Sequence, residues 1–292
     1  ELLEEGQVRG SFHPGEPQAA GYVPTERKAR KFVILANPRT LPYRTGSTLL
    51  QKLLSQHPHI AMYGEVMNLN QTFRSYLPLD KAVPEGYMGL SEWKEMEQAR
   101  TKEPDRMINW VWDHPAGRSA VGVKMIADHM PWQIVDTLLL DDPSVLKIVL
   151  VRRNFMASLV SLLKGWQFMN GLDWHSGDTS QLKVTVRLKD LQRRRNLNEG
   201  WYLHIWSRLG WRDQSWVDVT YRELTDPEKV VGALDRIVGF LGLPPHDFKP
   251  IISKKQNTSP PWKSIENWEQ VRGWVRQAAG QRNLLQNMYG FP

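Results

Sequence analysis

The 292-residue chain contains no cysteine. That excludes a disulfide framework and thiolate chemistry, and it suits a reducing, cytoplasmic setting. No stretch approaches the roughly 18 consecutive apolar residues of a membrane-spanning helix, so none is expected. The opening Glu1-Leu2-Leu3-Glu4-Glu5 has neither the basic flank nor the apolar core of a signal peptide. His, Asp and Glu do not cluster at metal-ligand spacing, so no metal is expected. A basic run with interleaved aromatics is also missing, which argues against a single-strand nucleic-acid groove. So is the triphosphate loop G-x-x-x-x-G-K-[ST]. Gly46 is followed by Ser47 rather than Lys, and no glycine precedes it at the required spacing.

What is present is a strand–loop–helix pattern from Lys31 to Glu65. Phe32-Val33-Ile34-Leu35-Ala36 has the length and composition of a buried strand. Leu49, Leu50, Leu53 and Leu54 recur at helical spacing. The loop between them carries Arg39, Arg44, Thr45, Gly46, Ser47 and Thr48. Backbone N–H groups and the dipole at a helix start favour an anion, Arg44 adds a bidentate donor, and Ser47 and Thr48 add hydroxyls. The stretch therefore reads as a cradle for phosphate or phosphosulfate. A net charge of +7 fits an anionic ligand. Thirteen tryptophans supply core bulk and also flat surfaces on which sugars stack.

Residues 1–30 read as an N-terminal arm, and 31–292 as one domain. Helix 91–100 is expected with Ser91 as N-cap, and 101–118 reads as polar despite Trp110 and Trp112. Together 66–118 read as an acceptor-side insertion over the sheet edge. Strands are expected at 119–126, 146–151 and 216–221. Helices are expected at 131–140 with Pro131 at the first position, at 155–165, at 188–210, at 227–241 capped by Asp226-Pro227, and at 264–289. Polar loops fill 166–180 and 249–263. Strands that alternate with helices predict an α/β fold, with a mainly parallel central sheet covered by helices on both faces. Ligands in such sheets bind beyond the carboxyl ends of the strands.

The loop RTGSTLL, followed downstream by HP and GE, combines with VLVRRNFMASLVS, in which Arg153 and Ser161 lie eight positions apart. Together they resemble the sulfotransferases that use 3′-phosphoadenosine 5′-phosphosulfate (PAPS), with the closest look to the bacterial nodulation-factor and trehalose 2-sulfotransferase branch. VGVKM at 121–125 and VTYRELTDPEKVVGALDRIVGFLGLP at 219–244 extend the likeness, which spans roughly Phe32 to Pro244. The resemblance implies that Arg44, Thr45, Gly46, Ser47 and Thr48 hold the 5′-phosphosulfate and that Arg153 and Ser161 hold the 3′-phosphate. In this chain Arg39-Thr40-Leu41-Pro42-Tyr43 precedes the motif, so a second Arg-Thr pair, at Arg39, competes for the phosphosulfate.

The implied activity is transfer of a sulfuryl group from PAPS to a hydroxyl or amine of a carbohydrate or small natural product, releasing 3′,5′-ADP. Such a transfer needs a base for the acceptor proton. Glu65 is the first candidate, since Gly64-Glu65 resembles the Gly-Glu of the trehalose enzyme, and His129 is the second. Lys124 faces either the acceptor or the sulfonate, or else solvent. Lys254 and Lys255 resemble the family's late cofactor loop. Trp174 and His175 fall where an acceptor would be lined. Two other classes compete: nucleotide-dependent phosphoryl transfer, and non-catalytic binding of an anion or nucleic acid. Neither the acceptor's identity nor the oligomeric state is encoded in these motifs.

Overall fold

The computed structural model describes residues 28–36, 46–69, 90–126, 130–152, 154–169, 181–211, 214–249, 251 and 260–279. Strand β1 (Arg30–Ala36) is central in a five-stranded, all-parallel sheet. It is flanked by β3 (Ala120–Ile126) and β4 (Val145–Val151), with β2 (Ile60–Met62) and β5 (Trp216–Thr220) at the edges.

Each central strand feeds two cores, because successive side chains point to opposite faces. Val33 and Leu35 of β1 join Val121, Val123 and Met125 of β3 on one face, while Phe32, Ile34 and Ala36 serve the other. The first face is covered by α2 (Leu90–Lys102), α3 (Pro104–Asp113) and α4 (Trp132–Val135). The π-helical turn Asp136–Leu140 continues α4, and α6 (Leu188–Trp211) completes this layer. The second face is covered by α1 (Ser47–Leu54), α7 (Tyr221–Thr225) and α8 (Val230–Phe240). Helices α5 (Phe155–Met169) and α9 (Trp268–Ala279) build a third cluster with Leu191 of α6.

Several local expectations are corrected. The three-residue β2 has no run long enough to announce itself. The stretch read as polar at 101–118 contains α3, whose Met107, Ile108, Trp110, Val111 and Trp112 are all buried. Pro131 is the N-cap of α4, with ψ 144°, rather than its first residue. Tyr221, assigned to the last strand, opens α7, because Thr220 and Glu223 close a capping box ahead of it. Asp226 does not cap helix 227–241; it ends α7, accepts from the Glu228 N–H, and α8 begins only at Val230. Helix α5 continues to Met169, into the expected loop. A 3₁₀ turn at Pro261–Ser264 stands where the last helix was expected to start, and α9 begins at Trp268.

The strand order places a switch point between β1 and β4. The chain leaves β1 towards β2 on one side, and leaves β4 towards β5 on the other. A crevice opens at the carboxyl ends of two neighbours whose connections diverge in this way. It is bordered by the start of α1 after β1 and by Arg152 after β4.

At the opposite edge, His57 joins the α1–β2 turn to the segment after α8. Its Nδ1 accepts from the His59 N–H at 3.1 Å, so in the neutral ring Nε2–H donates to the Pro244 carbonyl at 3.0 Å. Burial lowers the His57 pKa below the usual 6.5, with His246 and His59 adding to the effect. Below pH 6.5 the unfolded chain therefore binds a proton that the folded chain resists, and stability falls as pH falls. The unfolding midpoint is expected to drop between pH 7 and pH 5. His57→Gln should flatten that part of the profile, as read by thermal melts of both proteins across the range.

Candidate active site

Gly46 sets the entry to α1. Its φ of 90° and ψ of 6° are accessible to glycine and costly for other residues. A Cβ there would lie 2.8 Å from Cε2 of Tyr221 and closer still to Cδ2, so the ring packs directly against the turn. As N-cap, Gly46 offers no side chain to the first-turn N–H groups, and that turn contains no acidic residue. A helix start of this kind, with no carboxylate in its first turn, favours an anion by its partial positive charge.

Lys124 brings a charge to the same place. It shares the face of β3 with Ala120 and Gly122, towards α1, and is only 4% exposed. Its Nζ lies 2.7 Å from Glu65 Oε1 and donates to Thr48 Oγ1 at 3.2 Å. Glu65 follows β2, where the Lys124 N–H donates to the Gly64 carbonyl at 3.1 Å. The second carboxylate oxygen, Oε2, accepts from Asn68 Nδ2 at 2.8 Å. The Asn68 carbonyl in turn accepts from the buried Arg100. A buried ion pair contributes little net stability, because desolvation offsets the attraction. Held by hydrogen bonds on both sides, this one supplies a fixed carboxylate and a fixed ammonium beside the helix start. Thr48, itself exposed, is the member open to solvent.

The third component follows β4. The Arg152 guanidinium carbon sits 4.3 Å from the centre of the Tyr221 ring, the same ring that packs on Gly46. The Arg152 N–H donates to the Tyr202 hydroxyl at 3.2 Å, and that hydroxyl donates to the Leu150 carbonyl at 3.0 Å. Burial pushes the Tyr202 phenol up to about 12 and lowers the Arg152 pKa, yet a guanidinium stays charged at neutral pH. On α6, the buried Arg194 donates to Ser158 Oγ of α5 at 3.1 Å. Ser161 lies one turn further along α5 and is half-buried.

Of the residues singled out from sequence, the structure brings Glu65, Lys124 and Thr48 into one cluster beside Gly46 and Ser47, and sets Ser161 on α5. Arg39, Arg44, Thr45, His129, Arg153, Trp174, His175, Lys254 and Lys255 lie outside the described residues. Sequence reasoning missed Asn68, Tyr221 and Arg194. Asn68 stands three residues after Glu65 in a turn, a spacing that could have been noticed. Arg194 lies in a basic run that reads as solvated, but it falls in the buried stripe with Leu191, Trp201 and Ile205. The contact between Tyr221 and Gly46 joins distant parts of the chain and has no local signal. Among the described residues, no group of three His, Asp or Glu is arranged to hold a metal, and no helix is long and apolar enough to cross a membrane.

A model of the sulfotransferase family matches residues 42–247. No curated protein matches the chain. Among solved structures, a sulfotransferase domain from the Synechococcus PCC 7002 olefin synthase is similar at 17% identity and a TM-score of 0.47, covering 94% of this chain and 99% of that one. A sulfotransferase from Alicyclobacillus acidocaldarius is similar at 15% identity and a TM-score of 0.45, covering 90% and 97%. A sulfotransferase domain from the curacin biosynthetic pathway is similar at 15% identity and a TM-score of 0.46, covering 79% and 82%.

Proposed function

The chain belongs to the sulfotransferase family, and on that premise we propose that it moves a sulfuryl group from PAPS to a hydroxyl or amine of a carbohydrate or small natural product. The observation that carries this reading is the cluster of Glu65, Lys124 and Thr48 beside the glycine-opened start of α1. A helix start with glycine at its N-cap and no acidic residue in its first turn, two hydroxyls and an adjacent ammonium fit a phosphosulfate.

In this reading Gly46 lets the chain approach the 5′-phosphosulfate, and Arg44, Thr45, Ser47 and Thr48 bind it, with Arg39 as the alternative guanidinium. Arg153 and Ser161 bind the 3′-phosphate, and Lys254 and Lys255 extend the positive surface around the nucleotide. Lys124 offsets negative charge on the oxygens around the transferred group, as cations do in phosphoryl transfer. Glu65 accepts the acceptor proton, with His129 as the alternative base, and Trp174 and His175 line the acceptor. Asn68 and Lys124 hold the Glu65 carboxylate in one orientation. The test is incubation with sulfur-labelled PAPS and a panel of sugars, phenols and amines, followed by mass analysis of products. Label in a sugar or small-molecule product supports the reading, and a phosphorylated product formed from ATP instead would replace it.

A further inference from the structure

A second site lies on the sheet face opposite α1. Between α4 with its π-helical turn and the middle of α6, a cleft of about 540 Å³ is lined by both polar and aromatic groups. That volume falls in the range of roughly 300–1,000 Å³ common for small-molecule sites. None of its lining residues belongs to the Glu65–Lys124 cluster.

Its chemistry is specific. Asp136 is buried and accepts at both oxygens, from His204 Nε2 at 2.7 Å and from the Arg208 guanidinium at 2.8 Å. Arg208 is drawn further towards Asp141 at 3.5 Å. Arg208, the cation among the described lining residues, is thus neutralised by carboxylates, so these residues offer an anionic ligand no surplus positive charge. The Trp132 ring, half-buried, sits 4.0 Å from His204 and 5.0 Å from Trp201. Gln133 and Asn196 present exposed amides at the rim. Trp201, on the cleft wall, keeps a buried indole N–H with no hydrogen-bond partner among the described residues.

Gly200 lies among the lining residues. It stands inside a 24-residue helix, where glycine costs about 1 kcal/mol relative to alanine. Among the described residues nothing lies within 4 Å of where its Cβ would be, so their packing does not require glycine there. The absent side chain leaves open space in the cleft instead.

An indole platform, neutral amides, a histidine nitrogen and a charge-balanced Asp–Arg pair match one ligand chemistry. Aliphatic C–H faces of a pyranose ring pack on indole, and its hydroxyls exchange hydrogen bonds with amide and imidazole groups. We propose that this cleft binds an uncharged pyranoside. Sugar binding there needs neither donor nor turnover, so it is tested separately from sulfuryl transfer.

The probe is cellobiose, titrated into the full chain while tryptophan emission is followed, with calorimetry in parallel. Saturable binding is expected, unaffected by 3′,5′-ADP and not competed by inorganic sulfate. Gly200→Leu should fold as well as the wild type, because it replaces a helix-interior glycine in open space, and should weaken cellobiose by at least about tenfold. Trp132→Leu should weaken it comparably and guards against a folding defect in the first variant. Absence of saturable binding, unchanged affinity in both variants, or displacement by sulfate would each overturn the assignment.

Discussion

Glu65→Gln should abolish most turnover while leaving the nucleotide bound. The substitution keeps the shape of the side chain and one oxygen for Lys124 or Asn68, but glutamine cannot take a proton. Loss of a general base costs about 10²–10⁴ in rate. Because the phosphates are held in this account by the start of α1 and by the loop after β4, 3′,5′-ADP affinity should stay within about threefold of wild type. The side chain is mostly buried and paired with Lys124 at 2.7 Å, so a melting curve must accompany the assay to separate chemistry from folding. The companion variant is His129→Gln. If Glu65→Gln turns over normally and His129→Gln is inactive, the base is His129 and Glu65 only positions Lys124.

Gly46→Ala should damage the site in the opposite way, by losing the nucleotide. Two costs add at this residue. An alanine at φ 90° carries a left-handed penalty of roughly 1–2 kcal/mol. Its Cβ would also press into the Tyr221 ring, which cannot retreat freely with Arg152 stacked on it at 4.3 Å. Either the turn gives way and the helix start rotates away from the proposed donor site, or Tyr221 moves and carries Arg152 with it. Misplacement of about 1 Å can cost on the order of 10² in rate. The expected result is a turnover loss of that size together with weaker 3′,5′-ADP binding, measured by calorimetry beside the assay. Gly46→Ala with wild-type nucleotide affinity would show that this turn does not form the donor site. Binding kept in Glu65→Gln and lost in Gly46→Ala is the pattern that separates the two roles.

The parts of the fold written in sequence are those with an unambiguous period. β1, β3 and β4 are largely apolar runs because both their faces are buried, broken only by Lys124 in β3, Lys147 in β4 and the opening Arg30-Lys31 of β1. The misses have physical causes. β2 is too short for a period. The opening Pro104-Asp105-Arg106 of α3 hides a buried face that begins only at Met107. Thr220 and Glu223 carried a readable capping box, but the preceding β-branched run masked it. At the site, Glu65 and Lys124 are singled out by the motifs that resemble the sulfotransferases. Their pairing is not, because it depends on the register of β2 against β3, which puts Gly64 opposite the Lys124 N–H. The Tyr221–Gly46–Arg152 stack depends in the same way on three separate strand ends meeting at the crevice.

The measurement that bears most directly on donor use is calorimetry of the wild-type chain with 3′,5′-ADP and with 5′-AMP. The two nucleotides differ in the 3′-phosphate, for which Arg153 and Ser161 are assigned. Charge-assisted hydrogen bonds contribute roughly 1.5–3 kcal/mol each, so 3′,5′-ADP should bind at least about tenfold more tightly than 5′-AMP. Arg153→Ala should remove most of that difference. Equal affinity of the wild type for the two nucleotides would contradict the account.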